Sequence, residues 1–172
     1  VEVGREVPEE GWKETSTEDG QEEVGQQEGG REVPEEGWKE TSTDGQEAVG
    51  QEVDVALDFH RAVSPAMARM VLPELEPLRP MFVEEPTHPE NVDALLDIAQ
   101  STSIPIATGE RNTTRWGFRE ICEKRAAAVL QPDIRHCGGI LEMRKIASLA
   151  EIHYLAMAPH NAAGPIGVAA SL

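Results

Sequence analysis

From residue 53 onward, short apolar runs alternate with longer segments whose apolar positions recur every three or four residues. The first pattern suits strands buried on both faces, and the second suits helices that cover a sheet. Five runs qualify as strands: Val53–Asp58, Met81–Glu84, Ile104–Thr108, Ala127–Gln131 and Tyr154–Ala158. Helices are expected between them. Ser64-Pro65 reads as a cap and first turn, and Pro73 is expected to end or kink that helix early. Val92, Leu95, Leu96 and Ala99 follow helical spacing, with Thr87 as the candidate cap. Phe118, Ile121 and Cys122 make a shorter stripe. Ile140, Met143, Ile146, Ala147 and Ala150 make a longer one, opened by Gly138-Gly139, and a further helix start follows at Gly164–Leu172. Strands alternating with helices predict an α/β fold on a parallel sheet of about five βα units.

The first third of the chain has a different pattern. Residues 1–52 hold 17 Asp/Glu against 4 Lys/Arg, whereas residues 53–172 hold 15 against 11. Only nine of those first 52 residues are apolar or aromatic, too few to offset an ordering entropy of roughly 1–2 kcal/mol per residue. The sequence Gly4–Thr17 recurs at Gly30–Thr43, with one Trp in each copy, Trp12 and Trp38. Two acidic copies fall short of the three or so units that a stable solenoid needs. Residues 1–50 are therefore expected to be a disordered, duplicated acidic segment, and residues 51–172 a folded domain.

Charge and composition exclude several function classes. The net charge of −17 argues against binding to a phosphate backbone. No run approaches the 18 apolar residues of a membrane span, and the acidic N-terminus lacks the apolar core of a secretion signal. A cytoplasmic protein with no nucleic-acid or membrane partner is the expectation. Cys122 and Cys137 lack zinc-like spacing and read as reduced thiols.

Each predicted strand ends in chemistry: Asp58 and His60, Glu84 and Glu85, Glu110, Asp133, and His160. The intervals from Asp58 to Glu84 and on to Glu110 are both 26 residues, followed by 23 to Asp133 and 27 to His160. Such gaps match one βα unit each, so one functional group falls at the C-terminal end of every parallel strand, the rim where (β/α) barrels build active sites. Three carboxylates from adjacent strands suit a hard divalent cation such as magnesium. Asp58 and His60, two apart on a strand, are expected to leave its end on the same side.

At "DVALDFH", "RPMFVEEP", "SIPIATGER", "RWGFRE", "LQPDIRHCGGI" and "MAPHNAAGPI" the chain resembles the enolase superfamily, and within it the sugar-acid dehydratases of the galactonate type. The resemblance covers about Gln46 to Leu172. It implies a partial (β/α) TIM-type barrel and a hydro-lyase that takes a D-galactonate-like sugar acid to its 2-keto-3-deoxy acid. It further implies that Asp58, Glu84 and Glu110 bind Mg2+, that His160 oriented by Asp133 is the general base, and that His60 is the general acid. The implied partner is a small-molecule sugar acid, and the family leaves room for a homo-oligomer.

Departures accompany the matches. Against the family pattern, a capping domain, the first two barrel strands and the last one are expected to be missing. Arg61 stands where a glycine is usual, and Asn112-Thr113 where apolar residues are usual. Two other readings therefore stay open: a non-catalytic remnant with an acidic interaction tract, inactive because its barrel is incomplete, and another superfamily member such as a racemase or a different acid-sugar dehydratase. Outside the rim, Glu85 is expected in a supporting or salt-bridged role. Arg111 is read as pairing with a carboxylate or contacting substrate. His136 and His153 are read as structural, His88 as part of a helix start, and Trp116 as packing.

Overall fold

The computed structural model describes residues 53–162 and 164–172; the duplicated acidic segment lies outside the described residues. Five strands, β1 (Leu57–Asp58), β2 (Val83–Glu84), β3 (Ile106–Thr108), β4 (Val129–Leu130) and β5 (Ala156–Met157), form one parallel sheet in sequential order. After them in turn come α1 (Pro65–Leu75), α2 (Val92–Ala99), α3 (Thr114–Lys124), α4 (Ile140–Ile152) and α5 (Gly164–Ser171). The architecture is α/β, five parallel βα units consistent with a partial TIM barrel.

The regular strands are shorter than the apolar runs, because the ladder continues as single hydrogen bonds beyond them. Met81 N–H donates to Val55 O at 2.8 Å before β1 and β2, and Arg61 N–H to Glu85 O at 2.9 Å after them. Equivalent bonds run from Ala128 N to Ile106 O and from Ala158 N to Leu130 O. One core cluster joins Val83, Ile106 and Leu130 of the sheet to the buried stripes of the helices: Leu72 and Leu75, Leu95 and Ile98, Phe118 and Ile121, Met143 and Ile146.

Two helix boundaries differ from expectation. Pro73 sits inside α1, which runs on to Leu75 and then into a 3₁₀ turn at Glu76–Leu78. Proline removes one N–H without breaking the helix at once, and the turn ends at Arg79, whose backbone is left-handed with φ 49°. The cap of α2 is Asn91, whose Oδ1 accepts from Ala94 N–H at 3.1 Å, rather than Thr87, so His88 precedes the helix. Ser64 caps α1 as expected, its Oγ accepting from Met67 N–H at 3.2 Å. Both cysteines are free and buried; burial pushes the Cys122 thiol up to about 11 and raises Cys137, so neither is poised as a nucleophile. No helix of the described residues is long and apolar enough to cross a membrane.

Candidate active site

The register that pairs Asp58 with Glu84 sets these two carboxylates side by side at the ends of β1 and β2. Glu110 follows two residues after β3, beyond Gly109, whose φ of 141° turns the chain there. Each carboxylate already has a protein partner. Asp58 Oδ1 accepts from His60 N–H at 2.7 Å, and Glu84 Oε2 accepts from Gln131 Nε2 at 2.8 Å. Glu110 Oε2 accepts from Arg61 Nη1 at 3.0 Å, with Arg111 Nε 3.7 Å from its other oxygen. Burial works to raise the Glu110 carboxyl, but the Arg61 hydrogen bond and charge, with His160 and Arg111, hold it below its ordinary value.

Among the described residues, no three of His, Cys, Asp and Glu stand close enough together to hold a metal ion. The expected ligands thus reach adjacent strand ends without converging on one point. Their chemistry still fits a hard divalent cation, since all three are carboxylates on successive strands. That the strand ends attract positive charge is visible in Arg61, whose side chain is 8% exposed and pairs with both Glu110 and the buried Glu85.

His60 is not placed as the strand period suggested. β1 ends at Asp58, and His60 has a left-handed backbone, φ 44°. The alternation of side chains holds only while the chain stays extended. A backbone hydrogen bond, not a shared strand face, links the two residues.

Asp133 and His160 are brought together. Asp133 lies three residues past β4 and is fully buried; His160 lies three past β5, its Nδ1 2.9 Å from Asp133 Oδ2. Asp133 also receives a two-pronged contact from Arg135, Nε to Oδ1 at 3.0 Å and Nη2 to Oδ2 at 2.7 Å, with Arg135 N–H on Oδ1 at 2.8 Å. The Arg135 hydrogen bonds hold the Asp133 carboxyl well below the usual carboxylate range, outweighing its burial. An ionised Asp133 takes the Nδ1–H of His160 and leaves Nε2 as the free base. Sequence reasoning missed Arg135, although it lies inside a quoted motif; the signal was a cation two residues from a candidate carboxylate.

The remaining candidates sort by contact. Glu85 pairs with Arg61, the supporting role expected of it. Among the described residues its Oε1 has no hydrogen-bond partner. His136 Nδ1 donates to Glu110 O at 2.9 Å, tying down the turn that carries Glu110, and His153 closes α4. Trp116 does not pack into the core. It is 65% exposed, with the Arg115 guanidinium 5.0 Å from its ring centre. Two residues before Phe118, it falls on the far side of α3 from the buried stripe.

Two depressed carboxyls give a pH prediction. Lys145, then the Arg115 N–H, bring Glu142 down to about 2, and Asp133 is lowered further. Carboxyls lowered in the folded state contribute stability above their unfolded values of about 4 and lose it as pH falls through the folded ones. The melting temperature is expected to fall between about pH 4 and pH 2, less steeply in Arg135→Ala. Identical acid profiles for the two chains would show that the Arg135 contact has no energetic weight.

Residues 41–172 match the model of the family described as "Enolase C-terminal domain-like". The chain is 47% identical over 127 residues to a D-galactonate dehydratase from Variovorax paradoxus (strain S110), covering 74% of this chain and 33% of that protein. A mandelate racemase/muconate lactonizing enzyme-like protein from Rubrobacter xylanophilus superposes with a TM-score of 0.77 at 42% identity, over 80% of this chain and 35% of its own. The 3,6-anhydro-D-galactonate cycloisomerase from Zobellia galactanivorans superposes equally well, TM-score 0.77, at 28% identity over 81% and 40%. The chain therefore spans about a third of the length of the curated relative it matches.

Proposed function

Because the chain belongs to the enolase superfamily through its C-terminal domain-like segment, we propose that it carries the catalytic strand ends of a magnesium-dependent sugar-acid dehydratase acting on a D-galactonate-like acid in the cytoplasm. The observation that carries this reading is the His160–Asp133 pair, an imidazole held through Nδ1 by a buried carboxylate at the sheet end that also bears three carboxylates.

Asp58, Glu84 and Glu110 are the residues that would hold the ion, and magnesium, when bound, supplies Lewis-acid stabilisation of the negative charge that builds on the substrate carboxylate. The α-proton of a 2-hydroxy acid is a weak acid, so an imidazole must be aimed at it and its own cation stabilised. His160 takes the proton on Nε2, because Nδ1 is committed to Asp133. Asp133 fixes that tautomer and steadies the imidazolium. The β-hydroxyl leaves as water only when protonated, and His60, adjoining β1, supplies that proton. The enol so formed rearranges to a 2-keto-3-deoxy acid.

Incubation with magnesium and D-galactonate, alongside its epimers, is expected to release a 2-keto acid that traps as a semicarbazone, and chelation is expected to stop it. Absence of product from every sugar acid at saturating magnesium would sink the reading.

A further inference from the structure

Among the described arginines at these strand ends, Arg61 has a side chain that is nearly buried, while Arg111 and Arg135 are open to solvent. It adopts φ 62°, the left-handed region that few side chains other than glycine, asparagine and aspartate enter readily. Its N–H donates to Glu85 O at 2.9 Å, so its backbone is pinned to the residue next to Glu84. From there one guanidinium nitrogen reaches both Glu85 and Glu110. Glu85 is 1% exposed, and Arg61 is its charge partner.

We propose that Arg61 is a built-in counter-cation that competes with a divalent metal for the Glu110 carboxylate, so that the ion enters only as Arg61 withdraws onto Glu85. This rests on the metal reading given above. The physical case is direct. A guanidinium hydrogen-bonded to a carboxylate occupies the lone pairs a metal would need. The two cations would also repel across a poorly screened space. Glu85 gives the displaced side chain a place to remain, since the buried Glu85 carboxylate holds the guanidinium whether or not Glu110 does. A metal site of this kind binds more weakly than its three carboxylates would alone, and the weakness lies in one side chain.

The probe is Mn2+ alone, titrated into the full chain and followed by the electron paramagnetic resonance signal of the free ion. Arg61→Asn removes the charge with a residue that tolerates the left-handed backbone, and is expected to bind Mn2+ at least tenfold more tightly than the unsubstituted chain. Because that variant strands the Glu85 charge and can misfold, Arg61→Asn/Glu85→Gln is titrated in parallel. The double variant leaves the local formal charge unchanged, so a tenfold gain there cannot come from general electrostatics. Glu84→Gln in each background reports whether the ion sits at the strand ends. If Glu84→Gln weakens binding but neither Arg61 variant tightens it, the competition is wrong and the metal reading stands. If Glu84→Gln changes nothing in any background, the metal reading fails and the competition fails with it.

Discussion

His160→Ala is expected to lose about 10²–10⁴-fold in α-proton exchange, the usual contribution of a positioned base. The exchange is measured as deuterium incorporation into a sugar acid in heavy water, which reads proton removal without requiring the dehydration to finish. On the proposed division of roles, His60→Asn is expected to keep that exchange and lose the 2-keto product, because a general acid for the departing hydroxyl is not needed to remove the α-proton. Asp133→Asn falls between, since the imidazole survives but its tautomer is no longer imposed. Deuterium incorporation undiminished in His160→Ala would remove it as the base. Equal losses of exchange in the His160 and His60 variants would mean that the two histidines do not divide the work.

Arg135 modifies this expectation. A carboxylate that already accepts three hydrogen bonds from one arginine has less negative charge to offer an imidazolium. The same contact orients Asp133 and lowers its basicity toward His160. The pair is therefore held in a fixed geometry by Arg135 from one side and His160 from the other.

What could be read in the sequence was periodic or registered along the chain. The apolar runs and stripes gave the order of elements, because burial repeats every two residues in strands and every 3.6 in helices. The 26-residue intervals placed Asp58, Glu84 and Glu110 at neighbouring strand ends, because parallel strands need a whole helix between them. The hidden part lay in contacts made through space. Arg61 meets Glu85 and Glu110, 24 and 49 residues away, and no periodicity announces such a pairing. His60 was misplaced for a local reason, since the rule that aligned it with Asp58 ends where the chain leaves the strand. Trp116, read as packing, packs against Arg115 on the exposed side of α3 and not against the core, a placement that its residue type alone did not announce.

Gly109→Ala is expected to destabilise the domain severely for a single added methyl, by about 3 kcal/mol or more. Two costs coincide there. A φ of 141° is one that side chains rarely adopt. A Cβ would also stand 2.8 Å from Gln131 N and Phe118 Cε1 and 2.9 Å from Gln131 C. Two of those atoms are backbone, held in place by the bond from Gln131 N–H to Thr108 O at 2.8 Å, so they cannot yield without opening the β3–β4 ladder. Phe118 cannot swing away either, being wholly buried in the core. Gly139→Ala is the matched control. Its φ of 85° and ψ of −173° also suit glycine almost alone, but a Cβ there meets nothing within 4 Å, so the cost is backbone strain alone, about 1–3 kcal/mol. Urea unfolding of both variants separates the two costs, and the Gly109 chain is expected to melt on the order of 10 °C lower. Equal losses at the two glycines would mean that strain decides both, and that the ladder beside Glu110 yields more readily than its hydrogen bonds imply.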